Sequence, residues 1–120
     1  MSENRDIRDY LNDMAEMLTD IQEFTRGMSF EEFRDDRKTV YAVVRAFEVL
    51  GEAAKHIPDA TRQKYQEVPW ATISAFRNKL IHEYFAINLE IIWDTIQHDV
   101  PELQALLTPV VKDCFEKYHP

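Results

Sequence analysis

The chain has 120 residues, 45% of them apolar, enough for one globular domain with a core of its own. A formal charge of −8 argues against a protein that coats nucleic acid through bulk positive charge, while leaving room for a local basic site. Two glycines and an apolar spacing near 3.6 point to an all-α fold, and there is no apolar run of about eighteen residues to cross a membrane.

The opening Met1-Ser2-Glu3-Asn4-Arg5-Asp6 is polar and unlike a signal peptide, and the single cysteine, Cys114, suits a reducing cytoplasm. A first helix is expected from about Glu3 to Arg26. Ile7, Tyr10, Leu11, Met14, Met17, Leu18, Ile21 and Phe24 recur by threes and fours along it as one apolar stripe. Gly27 is placed to end it with a positive φ, and Ser29-Phe30-Glu31-Glu32 has the pattern of a capping box opening a short second helix.

A third helix is predicted from Asp36 to about His56. Val40, Val44, Phe47, Leu50, Ala54 and Ile57 form one face, and Tyr41, Val43 and Val49 widen it. A helix apolar on more than one side is central in its domain or buried in a dimer. Gly51 in mid-helix costs about 1 kcal/mol relative to alanine, which close approach of another helix would explain. Arg45, Glu48 and Glu52 interrupt the apolar surface. Arg45 most simply pairs with Glu48 or another carboxylate, and a phosphate contact is its alternative role.

Pro58 stops that helix, and a polar connector follows with one expected helical turn near Arg62 to Tyr65. Pro69 opens a fourth helix over Trp70 to Tyr84, with Ile73, Phe76, Leu80 and Tyr84 facing inward. Asn88 caps a fifth carrying Leu89, Ile92, Trp93 and Ile96. Asp99 and Pro101 are expected to break it and restart a final helix with Leu103, Leu106, Leu107, Val110, Val111, Cys114 and Phe115 inward, and Pro109 to kink or divide that last segment. The fold expected is an up-and-down bundle of about five helices, one domain over residues 1–120.

The chemistry concentrates in Arg77-Asn78-Lys79-Leu80-Ile81-His82-Glu83-Tyr84. Histidine exchanges protons near neutral pH, and arginine is a permanent, fork-shaped cation suited to a developing oxyphosphorane. The pair alone is a weak motif: with this many arginines and four histidines, the spacing arises by accident about a quarter of the time. A histidine near a helix C-terminus is often only a dipole partner. Five residues along a helix rotate the side chain about 140° past a full turn, so Arg77 and His82 do not share a face; Asn78 and His82 do. The four histidines, at 56, 82, 98 and 119, have no i, i+3 or i, i+4 spacing, so neither metal nor other cofactor is expected.

Three stretches taken together resemble a known family: Val43 to Lys55 (VVRAFEVLGEAAK), Val68-Pro69-Trp70, and Arg77 to Phe85. Their order and spacing, continued through Leu89-Glu90-Ile91-Ile92-Trp93 and Asp99-Val100-Pro101-Glu102-Leu103, look like the HepT-type proteins of the HEPN superfamily. The resemblance implies a homodimeric helical bundle acting as the ribonuclease toxin of a toxin–antitoxin pair. Arg77 and His82 would be catalytic and Asn78 supporting. Tyr84 resembles the acceptor that a minimal nucleotidyltransferase antitoxin modifies with adenylate. Arg45 and Lys79 are candidate RNA contacts. Many relatives carry a small residue where this chain has Glu83, whose carboxylate would repel phosphate if it faced the cleft. Two readings stand beside the enzyme: a non-catalytic helical subunit that binds a nucleotide or presents substrate to the nucleotidyltransferase, and a purely structural dimerisation bundle.

Overall fold

The computed structural model describes residues 5–83 and 88–117. Among the described residues every regular element is helical: α1 (Ile7–Thr25), α2 (Phe30–Asp35), α3 (Arg37–Lys55), α4 (Asp59–Lys64), α5 (Trp70–His82), α6 (Leu89–Asp94), a π-helical turn (Thr95–Asp99) and α7 (Val100–Lys117).

Local chemistry sets most of these boundaries. The carboxylate of Asp6 accepts the N–H groups of Arg8 and Asp9 at 2.8 and 3.4 Å, and the Asp9 carboxylate accepts the Asp6 N–H at 3.0 Å, so α1 starts from a capping box. Gly27 follows its end with φ +76°, the left-handed conformation that favours glycine. At α2 the Ser29 hydroxyl accepts the Glu32 N–H and the Glu32 carboxylate accepts the Ser29 N–H, as the capping pattern predicts. Asp36 caps α3 by accepting both the N–H and the hydroxyl of Thr39, which holds its carboxyl below the ordinary range. At the other end Arg62 donates to the carbonyls of Ile57 and Ala54 at 2.9 and 2.7 Å. That cation closes the C-terminus of α3, where orphaned carbonyls need donors.

Helix α3 is the central element, packed against α1 on one side and α5 on another, while α1 also packs on α7. Val43, Val44, Ala46, Phe47, Leu50, Gly51, Ala53 and Ala54 are all buried along it. Most of its wide apolar face is therefore consumed within the chain, Tyr41 excepted. Most of the width follows from a central position. Tyr41, on the same helix, is 48% exposed. Leu11, Met14, Leu18 and Ile21 of α1 are fully enclosed, and Phe33 packs at 5.3 Å on Trp93. Phe24 and Phe115, both expected in apolar stripes, stand largely exposed at the edges of those stripes.

Two expectations change. The helical turn in the connector lies at Asp59–Lys64, immediately after Pro58, whose fixed φ suits it to precede a helix. The chain does not break at Asp99 and Pro101. The Val100 N–H bonds back to Thr95, one residue further than in an α-helix, and helical dihedrals persist from Asp94 through Val100. Pro101 has no N–H to give, and the wider π turn just before it lets the chain carry helical geometry into α7. Pro109 sits within α7, on its exposed side.

Candidate functional site

Helix α5 carries the candidate site along its last turns. Its seat is Gly51. A β-carbon added there would lie 2.1 Å from Arg77 Cβ, 2.8 Å from Arg77 Cγ and 3.1 Å from the carbonyl oxygen of Ile73. No side chain fits in that gap, so glycine is what allows the stem of Arg77 to lie on α3. The mid-helix glycine has its compensation here, in a close helix–helix approach at the arginine itself.

Arg77 is correspondingly half-buried, its side chain 27% exposed. Its Nε is enclosed and makes no hydrogen bond, so the Nη1 and Nη2 end is what emerges. Nη1 donates to Asn78 Oδ1 at 3.0 Å. Nη2 lies 3.2 Å from Glu52 Oε2, an ion pair whose direction is too oblique for a hydrogen bond and leaves Oε2 without one. Each Nη carries two hydrogens: Nη1 keeps one N–H beyond its bond to Asn78, and Nη2, held only by charge, keeps both, so N–H groups at the end of the fork remain for an incoming oxygen anion. Two parallel donors match the spacing of phosphate oxygens.

Asn78 is thus joined to Arg77, and no hydrogen bond connects it to His82, although the two share a face of α5. His82 is the last residue of the helix and is exposed. On a regular helix it stands about 7.5 Å beyond Arg77 along the axis and turned away from it, so one chain does not bring the arginine and histidine side by side. Glu83 caps the helix and is exposed. Tyr84, the candidate acceptor, lies outside the described residues. Lys79 is exposed, and Arg45 pairs with Glu48 at 3.3 Å while remaining 74% exposed.

Glu52 is the member of this group to which periodicity assigned no function. It marks the sequence only as a charge on an apolar helix, beside Gly51. Its other oxygen, Oε1, faces His56 Nε2 at 3.4 Å, and the His56 ring stacks on Tyr10 of α1 at 4.6 Å with an 11° tilt. Beyond α5, a groove of about 400 Å³ is lined by Phe47, Leu50, Ile73, Phe76, Leu103 and Leu106, with Glu67, Asp99 and Glu102 at its polar positions. Among the described residues no group of three or more His, Cys, Asp or Glu is arranged to hold a metal ion, and no helix is long and apolar enough to cross a membrane.

A family model described as ribonuclease HepT-like matches residues 14–110, a span that includes Gly51, Glu52, Arg77 and His82. The chain belongs to the HepT-like family. It is 44% identical over 100 residues to a protein of Thermococcus cleftensis named "Probable ribonuclease HepT", covering 83% of this chain and 91% of the relative. A Methanocaldococcus jannaschii protein named "Putative RNase MJ0127" is 45% identical over 109 residues, 91% of this chain and 90% of the relative. "Putative RNase TTE0752" of Caldanaerobacter subterraneus subsp. tengcongensis is 40% identical over 105 residues, 88% of this chain and 94% of that one. No solved structure matches the chain.

Proposed function

We propose that the chain is a metal-independent endoribonuclease that works as a homodimer, with Arg77 and His82 as its catalytic residues. The observation that carries this reading is the seating of Arg77, whose stem lies on Gly51 and whose emerging Nη end is on the same helix as an exposed histidine. RNA carries its own nucleophile, so the enzyme has only protons and charge to manage. His82 takes the proton from a ribose 2′-OH, and the 2′ oxygen attacks the adjacent phosphorus. Arg77 holds the phosphorane through its free N–H groups. The P–O5′ bond then breaks, the 5′ oxygen takes a proton from an imidazolium, and a 2′,3′-cyclic phosphate and a 5′-hydroxyl result.

That sequence uses a base and an acid, and one chain supplies one histidine to the site. A second copy facing the first would supply the other, and Arg77 and His82 diverging on one helix is the geometry such sharing answers. Sedimentation at micromolar concentration is expected to give twice the chain mass; a monomer that still cleaves RNA would overturn the shared site. Cleavage is expected to survive EDTA, and Arg77→Ala and His82→Ala are each expected to lower it by about 100-fold or more. Loss of cleavage on chelation, restored by a divalent metal, would count against the mechanism.

As a toxin the protein would be silenced by a minimal nucleotidyltransferase antitoxin attaching adenylate to Tyr84, two residues past His82. The added phosphate would occupy Arg77 and exclude substrate. Co-expression followed by mass measurement tests this: the wild type is expected to carry the adduct, and Tyr84→Phe to escape both modification and silencing. One observation favours the alternative of a non-catalytic subunit that binds a nucleotide or presents substrate, namely the net charge of −8, which disfavours RNA. Growth arrest on expressing this chain alone separates the two.

A further inference from the structure

The strongest feature outside the Arg77 and His82 pair is a carboxylate contacted from two sides beside the candidate catalytic cation. Glu52 Oε2 meets Arg77 Nη2 at 3.2 Å, and its Oε1 meets His56, whose ring is stacked on Tyr10. Three helices are therefore linked by one chain of contacts: Tyr10 of α1 on His56, the C-cap of α3, His56 on Glu52 of α3, and Glu52 on Arg77 of α5. An exposed ion pair between two free side chains would contribute little and fluctuate. Here the arginine stem is clamped on Gly51, the imidazole is held against an aromatic ring, and the carboxylate sits between them.

We propose that Glu52 is a positioning residue for RNA cleavage, orienting the Arg77 guanidinium so that one N–H of each Nη points at the substrate phosphate. The inference rests on the ribonuclease reading above and adds a third member to its site. The physical need is specific. With its Nε buried and unbonded, the guanidinium has no interior acceptor to set its rotation about the last side-chain bonds. Asn78 Oδ1 holds Nη1, and a single acceptor leaves the plane free to swing about it. Glu52 holds Nη2 from the α3 side. A hydrogen bond at one end of the fork and an ion pair at the other together bias the orientation of its plane.

A carboxylate beside a phosphate site also repels the phosphate, so orienting the arginine and binding the RNA respond to Glu52 in opposite directions. Removing Glu52 is expected to leave RNA binding unchanged or tighter while slowing the chemical step. A residue that only stabilised the fold would not produce that split.

The test is Glu52→Ala and Glu52→Gln in the full-length protein, each alone and with Arg77→Ala, assayed for single-turnover cleavage and for binding of a non-cleavable 2′-deoxy oligonucleotide. Misplacing an oriented catalytic group by about 1 Å costs up to roughly 100-fold, so Glu52→Ala is expected to slow cleavage about 10- to 100-fold with binding no weaker. Glu52→Gln keeps an oxygen acceptor of the same reach and is expected to recover much of the rate. Added to Arg77→Ala, Glu52→Ala is expected to cost nothing further, because its effect passes through the arginine. Full cleavage by Glu52→Ala, with Arg77→Ala impaired, would overturn the positioning role and leave the ribonuclease reading intact. So would a loss that appears only as weaker binding, or one that adds fully to Arg77→Ala. Cleavage at the wild-type rate in Arg77→Ala would overturn both.

Discussion

Helix α3 is gripped from two sides, and the two grips are built on different principles. Toward α1 the contact is made by large apolar side chains. Leu11, Met14, Leu18 and Ile21 are fully enclosed, and α1 is braced again by α7. Toward α5 apolar rings also meet, Phe47 edge-on against Phe76 at 5.1 Å, but beside them the stem of a charged residue lies on Gly51, where no side chain would fit. Interlocked apolar bulk supplies stability and tolerates modest repacking. A glycine seat supplies placement, because it sets the height of one backbone over another and with it the position of Arg77. The first side holds the fold together. The second sets where a guanidinium sits.

Substitutions in the two regions should separate cleanly. His82→Ala is expected to lower RNA cleavage by about 100- to 10,000-fold, the usual contribution of a proton-transfer group, and to leave the melting temperature within error. Leu18→Ala, on the α1 side, is expected to cost about 2–5 kcal/mol in denaturant unfolding while the remaining folded protein cleaves at the normal rate. Loss of specific activity in Leu18→Ala, or of stability in His82→Ala, would mean that the two regions are not separable. Gly51→Ala is the substitution that should fail on both counts. Forcing a methyl against Arg77 and the Ile73 carbonyl is expected to cost about 1–3 kcal/mol and to slow cleavage by moving the guanidinium. If it instead gained stability as an ordinary helical alanine, the glycine seat would be wrong.

Smaller effects sharpen the same contrast at the periphery. Ser29→Ala removes the cap of α2 and is expected to cost about 1 kcal/mol with no change in cleavage. The smallest concerns Tyr65, whose hydroxyl donates to Asp113 at 2.6 Å and whose pKa is thereby pushed up from 10 to about 12. A proton bound more tightly in the folded state contributes stability that is present below pH 10 and is lost as pH rises toward 12. The stability difference between wild type and Tyr65→Phe, followed by chemical denaturation, is therefore expected to shrink across that interval. A difference independent of pH would remove the hydrogen bond from the account.

What the sequence determined by itself is mostly what neighbours along the chain decide. The capping box at Ser29, the cap at Asn88, the positive φ at Gly27 and the inward stripes follow from contacts within a few residues, which spacing makes visible. The Arg77 and His82 motif and the likeness to HepT-type proteins were legible for the same reason, being strings. Gly51 announced a close approach without saying to what. Tertiary structure alone decided that Arg77 fills that seat and that Glu52, two helices earlier, and the adjacent Asn78 take the two ends of its fork. It also decided that most of the wide apolar face of α3 is used within the chain, and that a π turn carries the backbone past Pro101. Each of these depends on which surfaces meet in space. Helical periodicity states which residues share a face, and only the packing of one helix on another states what that face touches.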